Sequence, residues 1–120
     1  MSTNASIWEA ALKVESEARD IAERFYNEDA KPVFDAHDAG AAAYAAVLER
    51  EEGYDTLTSV HYDTLKALFI TPAPTLEAVA VKLRMGCADC FFDGSKASFE
   101  VLSAIAGDVE RLSREASHAR

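Results

Sequence analysis

Proline and glycine are scarce in this chain, three and five among 120 residues. An all-β fold needs a turn signal every few residues, and so little punctuation argues against one while suiting long helices. No apolar run approaches the roughly 18 residues of a membrane span. The opening Met1-Ser-Thr-Asn-Ala-Ser lacks the basic and apolar stretches of a secretion signal. The expectation is a cytoplasmic protein with no membrane contact. Two cysteines are too few for a secreted disulfide framework.

Positive charge is also short. Lys and Arg number 12 against 21 Asp and Glu, for a net charge of −9. The imbalance sits in residues 1–70, at −8, against −1 over residues 71–120. Such a chain repels phosphate backbones, which disfavours direct nucleic-acid binding. Missing too are a GxSxG elbow, a phosphate-cradling glycine loop, an HExxH pair and an EF-hand loop. Nothing assembles a nucleophile, a base and an oxyanion site, so the chain reads as a non-enzyme that needs no cofactor.

What is present is helical periodicity over a single domain, residues 1–120. Asn4 or Ser6 can cap a first helix running to about Asn27. Its apolar residues Ile7, Ala11, Val14, Ala18, Ile21 and Phe25 repeat at 4, 3, 4, 3, 4, widened to one side by Trp8, Leu12 and Ala22. The acid-before-base pairs Glu9–Lys13, Glu15–Arg19 and Asp20–Arg24 mark the outer surface. This heptad-like stripe expects a second long helix alongside it.

Glu28-Asp-Ala-Lys-Pro32 reads as a polar break, with Pro32 in the first turn of the next helix. Phe34, His37, Ala41, Tyr44 and Leu48 then repeat at 3, 4, 3, 4. Tyr54, Leu57, His61, Thr64 and Leu68 do the same, offset at Glu51-Glu52-Gly53. The spacing predicts about 38 helical residues, either bent at Gly53 or divided there. A straight helix of that length spans about 57 Å, against a radius of gyration of about 14 Å for a compact domain of this size. The chain is therefore bent or oligomeric.

Ile70-Thr-Pro-Ala-Pro-Thr-Leu76 must end that helix, because Pro72 and Pro74 lack backbone donors and push Thr71 and Ala73 out of the helical region. Thr75 can cap a new helix whose apolar face starts with Leu76, Val79, Ala80 and Leu83 and continues through Cys87, Cys90 and Phe91. Phe92-Asp93-Gly94-Ser95 forms a turn, with Asp93 or Ser95 as the next cap. A last helix from about Lys96 to Ala116 points Phe99, Leu102, Ile105, Ala106, Val109 and Leu112 inward, and Ser117 to Arg120 fray. The fold reading is all-α: a long antiparallel helical hairpin, a proline corner, then a shorter helical hairpin.

Cys87-Ala-Asp-Cys90 is the only motif-like cluster. Zinc needs two further ligands and none follows at suitable spacing, so no metal is expected. A redox site of the thioredoxin kind needs a βαβ setting. Two cysteines three apart on a helix share one seam, where thiols pack as small hydrophobes. His37 and His61 fall on apolar stripes and read as packing or helix–helix hydrogen-bonding residues. Their sequence neighbours Asp35, Asp38 and Asp63 do not face them on a helix, so no acid–base pair is expected there.

The stretch Ala67-Leu-Phe-Ile-Thr-Pro-Ala-Pro-Thr-Leu-Glu-Ala-Val-Ala-Val-Lys-Leu-Arg84 resembles a segment of small helical proteins found in alphaproteobacterial genomes and their prophages. The shared features are a long helix ending in a TPAPT-like corner, a Lys-Leu pair (Lys82-Leu83) and a final helix patterned like Asp108-Val-Glu-Arg-Leu112. The similarity covers residues 54–112. It implies a bacterial or prophage setting and the same helical order, and no activity.

The functional expectation is a protein–protein interaction or regulatory protein that partners another protein or itself, as a homodimer. Trp8, Phe34, Tyr44 and Tyr54 are its contact candidates, since aromatics dominate binding hot spots. A second reading makes it an acidic inhibitor occupying the nucleic-acid groove of a phage-defence or DNA-processing enzyme. That reading is carried by Glu49, Glu51, Glu52 and Asp55, with Asp35 and Asp38. A third is a thiol- or zinc-dependent regulator acting through Cys87 and Cys90.

Overall fold

The computed structural model describes residues 3–118, so Met1, Ser2 and the end of the expected fraying tail, Ala119-Arg120, lie outside the described residues. The fold is all-α, with no strand among the described residues. The elements are α1 (Asn4–Phe25), a π-helical turn (Tyr26–Ala30), α2 (Lys31–Asp38), α3 (Tyr44–Ile70), α4 (Leu76–Ala88) and α5 (Lys96–His118).

Each boundary has a local cause. Thr3 and Ser6 cap α1 reciprocally: the Thr3 hydroxyl accepts from Ser6 N–H at 3.1 Å, and the Ser6 hydroxyl accepts from Thr3 N–H at 2.9 Å. The cap is thus Thr3 with Ser6; of the two expected candidates, Asn4 and Ser6, only Ser6 takes part. The polar break expected at Glu28–Pro32 does not form. Instead the helix widens by one π turn and runs on into α2, with Pro32 in the first turn of α2.

The chain actually turns within 39–43, inside the alanine-rich run read as helix. Gly40 has φ +77. Ala41 N–H reaches Ala36 C=O at 2.7 Å, and Gly40 N–H reaches His37 C=O at 2.9 Å. This paired, left-handed ending satisfies carbonyls that the helix leaves open. Helix α3 then passes through Gly53 without a break, which rules out two helices meeting there. The glycine serves packing: a Cβ at residue 53 would lie 2.9 Å from the Phe25 ring.

Thr75 is extended and its hydroxyl accepts from Ala78 N–H at 3.1 Å, starting α4. Helix α4 ends as α2 does: Phe91 N–H bonds Gly86 C=O at 2.8 Å and Cys90 N–H bonds Cys87 C=O at 3.3 Å, with Cys90 at φ +53. The Ser95 side-chain hydrogen bond, and then its N–H at 2.9 Å, hold the Asp93 carboxyl below the usual carboxylate range, and Ser95 caps α5 through Ser98 N–H at 3.1 Å.

The chain divides into two compact units. One comprises residues up to 12 together with those from 66 onward. Its interior holds Trp8, Leu68, Phe69, Ala73, Ala78, Val79, Phe91, Val101 and Ile105. Phe69 meets Phe91 edge-on at 5.0 Å between ring centres. Gly86 is buried beneath Phe92, whose ring would be 2.2 Å from any Cβ there. The other unit, residues 13–65, buries Glu15, Ala22, Ala30, Val47 and Leu65. Within it Glu15 meets His61 and Phe25 lies on Gly53.

Three expected inner faces are rotated. On α1 the buried line is Trp8, Glu15 and Ala22, whereas Ile7, Val14 and Ile21 are 43, 53 and 52% exposed. On α4 the buried residues are Ala78, Val79, Lys82 and Gly86, leaving Leu76 and Leu83 exposed. On α5 they are Ser98, Val101, Ile105 and Asp108, leaving Phe99, Leu102, Ala106 and Val109 outside. In each case a polar group with a fixed partner is drawn inward, and the helix turns to deliver it.

Candidate functional site

The segment between α3 and α4 has a local shortage of backbone partners, since Pro72 and Pro74 cannot donate and the chain at 71–75 is not helical. Three side chains supply what is missing. Lys82, fully buried, donates from Nζ to Thr71 C=O at 2.6 Å and to Asp108 Oδ2 at 2.6 Å. Asp108 Oδ1 accepts from Ala73 N–H at 3.1 Å. Arg111 donates to Ala73 C=O and lies 3.5 Å from Asp108 Oδ1. The Lys82 ammonium also stands 5.6 Å from the centre of the Trp8 ring.

Burial pushes the Lys82 ammonium below the usual lysine range, while the hydrogen bond and charge of Asp108 oppose that shift. A lysine of this kind can serve as a nucleophile where it opens to a substrate. Here it is sealed, with its hydrogen bonds made to the corner. The cluster is therefore a clasp that fixes the turn.

A second polar cluster lies in the 13–65 unit. Glu15 is buried, contrary to its expected place on the outer surface, and its Oε2 bonds His61 Nε2 at 2.7 Å and Arg19 Nε at 2.9 Å. The carboxylate that faces His61 thus comes from α1 and not from Asp63 beside it in sequence. The missed signal is the seven-residue step from Trp8 through Glu15 to Ala22. His37 bonds the turn after its own helix and not a second helix, with Nδ1 2.9 Å from Ala42 C=O.

The contact candidates separate. Trp8 is buried in the interior, in keeping with its place on the apolar stripe of α1. Phe34 and Tyr54 are half-buried and are bridged by Tyr26, at 6.4 and 5.3 Å between ring centres. The widened π turn carries Tyr26, a residue the periodicity did not single out. Tyr44 is 60% exposed, with its ring 5.8 Å from that of His37.

Among the acidic candidates, Glu51, Glu52 and Asp55 line one furrow with Leu48, Thr56, Ser59 and Val60. Glu49 lines a neighbouring one and pairs with Arg50 at 3.2 Å. Asp35 is held by Lys31 at 2.7 Å, and Asp38 is the last residue of α2. Val60 also borders an apolar groove made with Val14, Ala18, Ile21, Leu57 and Thr64 and edged by Glu17.

Cys87 and Cys90 are both exposed free thiols, which overturns their reading as buried packing residues. Helix α4 turns Gly86 and Lys82 inward, and that rotation carries Cys87 out. Among the described residues no three of His, Cys, Asp and Glu gather as a metal ion would need, and no helix is long and apolar enough to cross a membrane. No family model, curated protein or solved structure matches the chain.

Proposed function

We propose that this is a non-enzymatic, cytoplasmic interaction protein of the bacterial or prophage kind its corner resembles, and that it pairs with a second copy of itself through α5. The observation that carries this reading is the exposed line of Phe99, Leu102, Ala106 and Val109. Their 3, 4, 3 spacing is that of a coiled-coil seam. The surrounding sequence is near charge balance, at −1 over residues 71–120, so two copies meet there without strong repulsion. Burying a large apolar side chain gains about 1.5–3 kcal/mol. Three such side chains on each copy gain on the order of the 4–15 kcal/mol that association costs. The antiparallel pairing of the long helices, supported by the Glu15–His61 and Phe25–Gly53 contacts, and the clasped corner serve as the scaffold.

Native mass spectrometry tests this. The chain is expected at twice its 13.0 kDa mass. The double variant Phe99→Asp, Val109→Asp is expected at the single mass with unchanged helical circular dichroism. A wild-type monomer, or a variant that still pairs, refutes pairing through α5.

The acidic furrow favours a second reading, a basic partner such as the nucleic-acid groove of a DNA-processing enzyme. Glu51, Glu52 and Asp55 converge there beside the apolar groove that meets them at Val60. Charge-driven binding of that kind should weaken steeply from low to moderate salt. A complex with a basic protein that is indifferent to salt sinks this reading.

A further inference from the structure

Neither cysteine has a structural reason to be a cysteine. Cys87 is exposed and fills no core space. Cys90 is exposed too, and it occupies the left-handed position after a helix. Glycine is preferred there, because a Cβ crowds the backbone in that conformation. What the backbone does is bring the two together. Asp89 has φ −92 and ψ 10, the third-residue conformation of a type I turn, and Cys90 N–H closes that turn on Cys87 C=O at 3.3 Å. A turn so closed keeps its end Cα atoms within about 7 Å, and a disulfide spans about 4.4–6.8 Å.

We propose that Cys87 and Cys90 form a reversible dithiol–disulfide site, oxidised within one chain by small disulfides of the glutathione type. The thiolate of one cysteine attacks glutathione disulfide. The glutathione S–S bond breaks, a protein–glutathione disulfide forms, and one glutathione thiolate leaves. The second cysteine's thiolate then attacks the protein sulfur of that mixed disulfide and expels the second glutathione. The two thiol protons end on the two glutathiones. The protein dithiol is oxidised by two electrons and the glutathione disulfide is reduced. The bond staples the turn that delivers Phe91 to the interior and Phe92 onto Gly86, so oxidation stabilises the unit that contains them. The site is independent of pairing through α5.

The test is equilibration of the whole native chain with mixtures of reduced and oxidised glutathione, followed by alkylation and intact mass spectrometry, with a parallel set in denaturant. The expected product has lost two hydrogens, accepts no alkyl group and reverts with dithiothreitol. Cys87→Ser and Cys90→Ser should each stop at a single glutathione adduct. The native chain should hold its disulfide against at least about tenfold more reducing mixtures than the denatured chain, because the folded turn raises the effective concentration of one thiol at the other. That factor corresponds to about 1.4 kcal/mol of added stability in the oxidised form, visible as a higher Tm. The proposal is overturned if each cysteine carries its own glutathione, if linked dimers dominate, if both thiols stay reactive, or if folding gives no advantage over the denatured chain.

Discussion

Replacing Asp108 by alanine is expected to destabilise the protein by about 3–5 kcal/mol, the range for leaving a buried charge without its partner. Asp108 holds both the Lys82 ammonium and the Ala73 N–H, so one substitution orphans a buried cation and a buried backbone donor. Asp108→Asn keeps an acceptor for Ala73 and should lose less. Pairing Asp108→Leu with Lys82→Met, which often rescues an ordinary buried ion pair, should fall short here. The Ala73 donor and the Thr71 carbonyl would remain unsatisfied, each at about 1–3 kcal/mol. Urea unfolding followed by circular dichroism measures all three. A loss under about 1 kcal/mol for Asp108→Ala would show that the clasp does not hold the corner.

The alanine variant also carries a pH signature. Without Asp108, burial and the nearby Arg111 charge both lower the Lys82 pKa, with its main opposing influence gone. The unfolded chain then binds more protons than the folded one between the folded and unfolded lysine pKa values. Stability of the variant should therefore rise with pH across that window.

Trp8→Ala is expected to cost about 3–5 kcal/mol for removal of a buried aromatic, plus up to about 2 kcal/mol for the lost face beneath the Lys82 ammonium. Trp8→Phe keeps most of the buried area and a weaker ring face, and should cost distinctly less. Trp8 is the only tryptophan, so its own fluorescence reports wild-type unfolding and circular dichroism must be used for the variants. If Trp8→Ala left stability intact and abolished pairing instead, Trp8 would be a contact residue and not part of the interior.

Much of the helical order was legible from local chemistry. Thr75 and Ser95 announce the starts of α4 and α5 because a hydroxyl one turn ahead of a free N–H acts within four residues. Gly40 carried the same kind of information as a helix-ending glycine, but it was outweighed by a periodicity that ran through the alanines. Gly53, where the two periodic series are offset, instead accommodates the Phe25 ring inside an unbroken helix. The continuity of α1 into α2 was not legible because polar residues and Pro32 mark a break and the first turn of a continuing helix alike.

The sequence by itself determined that the chain is helical, where its later helices begin, and how its charge is divided. All of these are settled over a few residues or by composition. Only the tertiary structure decided which face of each helix is inside. Adjacent seams on α1, α4 and α5 are apolar enough to serve, and hydropathy selects the one without Glu15, Lys82 or Asp108. The fold selects the other. Burying a charged group costs less than leaving it alone only when a partner waits at the right distance, and those partners are His61, Thr71 and Ala73, between 11 and 46 residues away along the chain. The faces that lose this competition, with Phe99 and Val109 on α5 and Ile21 on α1, remain outside.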